Sequence, residues 1–168
     1  MEEKRIKFDV KMTTKYMFEF LYVNSYSGSR GVINYCFSLI AILALIFGYG
    51  DSVYSMVALV VLALMFTVID PFLLFVKALK QVKVTEAFKN PITYEFKKEG
   101  FLVSQGTESQ EAPWEMVLLA KETIGSIILF TGNNNAIILP KKCIGENLND
   151  FKALLHEMRP AESAKIKK

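Results

Sequence analysis

The sequence predicts a membrane α+β protein. A two-helix transmembrane hairpin is joined to a small antiparallel β sheet of about six or seven strands, closed by one C-terminal helix. Three observations lead there. Hydrophobic residues make up 52% of the 168 residues but crowd into residues 32–76, where only Asp51 and Asp70 are charged. Period-two alternation marks short strands on both sides of that block, and helical spacing returns near the end of the chain.

In chain order, Ile6, Phe8 and Val10 alternate with Lys7, Asp9 and Lys11, which reads as a strand. An isolated strand is unstable in water, so this one is expected to join the sheet that follows the helices. The two spans then form an insertion within one cytoplasmic domain. Thr14 opens an amphipathic helix over 15–26, placed along the inner leaflet or as the stem of the first span. About 30 mixed-charge residues precede the apolar run and no small-residue cleavage site ends it, so a cleaved signal peptide is not expected.

Val32–Gly50 is free of charge and, at about 1.5 Å per residue, reaches roughly 28 Å, close to the hydrocarbon thickness. The second run, residues 52–76, is longer than a perpendicular crossing needs, and its span is placed at 52–72. Gly48-Tyr-Gly-Asp-Ser52 joins the two with turn-forming residues, and Tyr49 and Tyr54 suit a lipid–water interface. So short a connection implies an antiparallel hairpin over 31–76. Asp70 then falls level with Arg30, as an interfacial ion pair. Pro71 beside it suggests a kink where the helix leaves the bilayer. Small residues Ser38, Ala41, Ala44 and Gly48 share a helical face, suited to close approach by Ser55, Ala58 and Ala63. Lysines and arginines flank both outer ends of the hairpin and are absent from its connector, so both termini are expected on the cytoplasmic side of the cell membrane.

Residues 77–90 read as a juxtamembrane helix with Lys77, Lys80 and Lys83 on one face, stopped by Asn90-Pro91. Residues 91–160 carry the sheet. Ile92–Lys97 alternates, Lys98-Glu-Gly100 turns with glycine at positive φ, and Phe101–Gln105 returns. Trp114 and Met116 to Leu119 lie within an apolar stretch, and two further strands flank Gly132–Asn135. Asn147 is a helix cap for a final helix bearing Leu148, Phe151, Leu155 and Met158. The tail, 161–168, is expected to be disordered. The N-terminal unit spans 1–30.

Tyr94-Glu-Phe with Gly100, then Trp114, then Ala136-Ile-Ile-Leu-Pro-Lys-Lys142, then the helix with Phe151, resemble the bacterial YcxB-like membrane proteins. The resemblance implies a C-terminal domain similar to pleckstrin-homology (PH) folds, a bent antiparallel sheet capped by one helix. It carries no active site to these residues. Cys143 departs from the aromatic or other apolar residue usual there.

Little in the sequence points to catalysis. His156, the single histidine, has no evident orienting partner, and no phosphate loop, nucleophile elbow or metal-ligand spacing is present. No cofactor or metal is expected, and Cys36 and Cys143 read as separate free thiols. A net charge of +3 gives no reason to expect nucleic acid. The expected role is a non-catalytic, membrane-tethered binding or scaffold module that recognises a protein partner or self-associates, with Trp114 as a candidate partner surface. One alternative is sensing of anionic lipid through Lys77, Lys80, Lys83, Lys141 and Lys142. A second is an oligomeric ion-coupled transporter using Asp70.

Overall fold

The structure, a computed structural model, describes residues 5–27, 29–132, 135–159 and 164–166, with the backbone alone at Arg30, Ala164 and Lys165. It combines α-helices with two β sheets whose main strands run antiparallel. Strand β1 (Ile6–Val10) leads into helix α1 (Thr14–Tyr26), α2 (Ser29–Ile46) and α3 (Val53–Leu64). A π-helical turn over Met65–Ile69 runs directly into α4 (Asp70–Val84). Strands β2 (Ile92–Phe96), β3 (Phe101–Gln105), β4 (Glu108–Ala112), β5 (Leu119–Glu122), β6 (Ser126–Phe130) and β7 (Ala136–Pro140) follow. Two helices, α5 (Lys141–Ile144) and α6 (Leu148–Met158), and a short strand β8 (Ala164–Lys165) complete the chain.

The first sheet has the order β1-β2-β3-β4, and the second β7-β6-β5-β8. β1 is paired with β2 across the whole helical insertion, in the register Ile6↔Phe96 to Val10↔Ile92. That register turns Ile6, Phe8 and Val10 inward beside Tyr94 and Phe96, and the alternation of apolar and charged residues is its cause. α6 closes the core with Phe151, Leu154 and Leu155, while Trp114, Val117, Ile127, Leu129 and Leu139 fill it from the strand side.

Several expectations are corrected. The single meander is two sheets, because the backbone leaves β4 at Pro113 and makes a 3-10 turn over Trp114–Met116 before β5 begins. Gly100 does not have positive φ. Its lack of a side chain serves close approach, since a Cβ there would lie 2.7 Å from the Ala112 carbonyl oxygen. The helix after the apolar run ends at Val84, where Thr85 turns extended, six residues before the expected stop at Asn90. Asn147 precedes α6 but makes no side-chain capping bond, because a 3-10 turn over Gly145–Asn147 runs straight into the helix. In the tail, Ala164 and Lys165 are ordered as β8, parallel to β5, and Ile166 is buried in the core. The remaining residues of 161–168, and Asn133 and Asn134 of the last hairpin, lie outside the described residues.

Among the described residues one helix, Val53–Val84, is long and apolar enough to cross a membrane. α2 packs against α3 with Ser38, Ala41 and Ala63 buried between them, while Ala58 and Gly48 stay exposed. The outward faces of both carry large exposed apolar residues, among them Val32, Phe37, Ile40, Val57 and Val61. At the connector, Ser52 caps α3 in a reciprocal box with Ser55, and Tyr49 and Tyr54 project freely.

Candidate functional site at the junction of helices and sheets

α1 is the element through which the helices meet the sheets. Met17, Phe20 and Leu21 on its buried face, with Met12 just before it, pack on Ile128 and Ile138 of the second sheet. β6 is therefore apolar on both faces: Ile127 and Leu129 face the domain core and Ile128 faces α1. The apolar face of α1, expected to lie along the inner leaflet or to form the stem of the first span, is largely taken up by this docking. Glu19 pins the contact. Its carboxylate accepts from the Gly125 backbone N–H at 2.8 Å and the Ser126 hydroxyl at 2.9 Å. Ser126 is fully buried, so these bonds satisfy polar groups that water cannot reach.

α4 also packs on α1, with Leu74, Ala78 and Val82 entering the same apolar cluster. Phe18 and Phe75 meet edge to face at 5.9 Å. Nearer α2, Tyr22 stacks on Tyr26 at 4.7 Å, and the Tyr22 and Tyr35 hydroxyls hydrogen-bond to each other.

The π turn explains how Pro71 is accommodated. The Asp70 N–H donates to the Met65 carbonyl, five residues back. The Phe66 carbonyl is thereby bypassed, and the next residue, Pro71, has no N–H to offer. The Tyr26 hydroxyl takes that role, 2.9 Å from the Phe66 oxygen and 2.6 Å from Asp70 Oδ2. Asp70 is thus engaged by Tyr26; the side chain of Arg30, its expected partner, lies outside the described residues. Tyr26→Phe is expected to leave the Phe66 carbonyl without a protein donor, at a cost of about 1–3 kcal/mol. Thermal unfolding in detergent should show a lower Tm for it than for Tyr22→Phe, which removes a more exposed bond.

The other candidate residues are scattered. Trp114 is not a partner surface: it is buried against Phe96 and Phe101, at 5.8 and 5.7 Å, and its Nε1 donates to the Lys97 carbonyl at 2.9 Å. Its neighbours in the sheet supply more apolar contact than solvent does, which is why a large aromatic there is core. Lys141 is withdrawn from the candidate lipid contacts. Its ammonium lies 2.7 Å from Glu122, which Lys152 also approaches at 2.9 Å, and this partly buried triad ties α5 and α6 to β5. Lys142, Lys77, Lys80 and Lys83 are exposed. The last three line the outward face of α4, far along the chain from Lys142.

Glu95 is held below the usual carboxylate range, chiefly by the hydrogen bond from Lys97 and, against desolvation, by the charges of Lys97, Arg5 and Lys7. Burial pushes the Cys143 thiol up. Among the described residues no group of three or more His, Cys, Asp or Glu is placed to hold a metal ion. The sequence reading missed Glu19 and Tyr26, whose partners are distant in the chain. A single acid on the face of an otherwise aromatic helix was the one signal for Glu19.

Residues 96–155 match a family model described as YcxB-like protein. No curated protein and no solved structure matches the chain.

Proposed function

We propose, taking residues 96–155 as a YcxB-like segment, that the chain is a two-span membrane protein. In this reading it holds a PH-like binding module rigidly against the cytoplasmic leaflet. The observation that carries this is the β1–β2 register. A strand before the helices and a strand after them lie side by side, so the chain between them must return to the side it left. One crossing by Val53–Val84 therefore requires a second, and α2, which packs beside α3 and presents apolar residues outward, is the element suited to it. Both termini then share the side carrying the lysines, as the positive-inside rule asks. Four strands in one sheet, three main strands in the other and a helix across the core support the PH-like reading.

The module is read as a scaffold that recognises a protein partner or a second copy. The carboxylates of Glu19 and Glu122 and the buried Ser126 hydroxyl each join elements of the fold, which supports a structural role for them. Ion coupling through Asp70 finds less support, because that carboxylate is engaged with the Tyr26 hydroxyl at the base of the helices.

Impermeant maleimide labelling tests the topology. Ser52→Cys at the connector and Ser109→Cys on β4 are introduced singly into a chain with Cys36 and Cys143 changed to serine. Ser52→Cys should label in intact spheroplasts and Ser109→Cys only after permeabilisation. Labelling of Ser109→Cys from outside would overturn the reading. Photocrosslinking from the exposed face of β4 in native membranes should then capture a discrete protein or the chain itself.

A further inference from the structure

We infer that Lys77, Lys80 and Lys83 form a built contact for anionic phospholipid headgroups on the outward face of α4. At about 100° per residue, Lys80 and Lys83 fall within roughly 120° of Lys77 on one face of the helix. Leu74, Ala78 and Val82 occupy the opposite side and are packed on α1, with Ala78 fully buried. The three ammonium groups are thus aimed away from the domain by the same packing that docks α4 to it. None of them has an ion pair among the described residues, whereas Lys97, Lys98, Lys141 and Lys152 each meet a glutamate.

Their height follows from the helix. If Val53, beside the exposed Tyr54, marks one face of the hydrocarbon, about 30 Å at 1.5 Å per residue ends near Phe72 or Leu73. Lys77 then stands in the headgroup layer, and Lys80 and Lys83 lie about 5 and 9 Å further along the axis, within reach of a long flexible side chain and a Debye length of about 8 Å. Exposed Phe72, Leu73, Phe75 and Val76 lie just above them, so the helix changes from apolar to basic at this level. A negatively charged leaflet surface is the complement of that face.

The inference rests on the two-span reading and is tested separately from it. The full chain is reconstituted in vesicles of phosphatidylcholine and phosphatidylglycerol, gently solubilised and purified. Co-purifying lipids are then counted by mass spectrometry. The wild type should retain phosphatidylglycerol over phosphatidylcholine by about tenfold relative to the bulk. The triple variant K77Q/K80Q/K83Q should fall to the bulk ratio, and K77R/K80R/K83R should keep the enrichment. Should the glutamine variant fail to insert, a salt series on the wild type decides, since the enrichment must shrink as salt rises. A bulk ratio in the wild type, an enrichment indifferent to salt, or one retained by the glutamine variant would overturn the contact. Correct maleimide topology alongside such a result would leave the two-span reading standing.

Discussion

Phe96→Ala is expected to unfold the sheet domain at temperatures where the wild type is intact. Phe96 is fully buried at the end of β2 and sits at the centre of an aromatic cluster. Its ring lies 4.7 Å from Phe151, 5.4 Å from Phe101, 5.8 Å from both Phe8 and Trp114, and 6.2 Å from Tyr94. Those partners come from β1, β2, β3, the turn after β4, and α6. Truncation therefore opens a cavity that five elements line and none can close alone, at a cost of about 3–5 kcal/mol. Domains of this size are stable by about 5–15 kcal/mol, so the loss is a large share of the total. Trp114, the sole tryptophan, reports it directly. Its emission should shift to the red, and the unfolding midpoint in detergent should fall well below that of Phe96→Leu. An unchanged midpoint with unchanged emission would remove Phe96 from the core.

Gly31→Ala should do comparable damage at the other end of α1. The axes of Thr14–Tyr26 and Gly31–Ile46 meet at 80°, and at this corner the backbone of α2 comes against that of α1. A Cβ on Gly31 would land on the Tyr26 carbonyl oxygen. Backbone cannot swing aside as a side chain can, so the corner must open, at about 3 kcal/mol by the usual cost of overpacking. Opening it moves Tyr26 away from Phe66 and Asp70 and loosens the docking of α1. Trypsin cleavage after Arg30 in detergent is the measurement, with faster cutting expected in the variant. Gly48→Ala serves as the contrast, since nothing lies within 4 Å of the position a Cβ would take there, although its φ of 77° adds local strain. Equal cleavage of Gly31→Ala and wild type would show that the corner tolerates a side chain.

Elements with strong local patterns were legible before any coordinates. β1 declared itself through Ile6, Phe8 and Val10, and α6 through the spacing of Leu148, Phe151 and Leu155. β4 did not, because Glu108-Ser-Gln-Glu-Ala112 has no apolar alternation and is a strand by virtue of β3 beside it. β8 is likewise made by its neighbour, β5. The break between the two sheets at Pro113 was hidden within a stretch whose apolar residues suggested continuous strand. The lysines of α4 could be placed on one helical face from their spacing, but that this face points outward depends on which side α1 covers. The π turn was beyond sequence reasoning for a similar reason. Pro71 announces a disturbed helix, yet the form it takes is decided by a tyrosine hydroxyl 40 residues earlier.

The pairing of β1 with β2 also sets an order of events during biosynthesis. The first strand leaves the ribosome long before its mate exists, and the whole helical insertion from α1 to α4 is translated in the interval. Until then Ile6, Phe8 and Val10 wait as a short greasy ribbon with no ladder to join, a species prone to stray association. The first sheet can close only when β2 has emerged, so on the proposed two-span reading membrane insertion precedes completion of the fold. Because that closure spans most of the polypeptide, it should be among the slower steps in maturation.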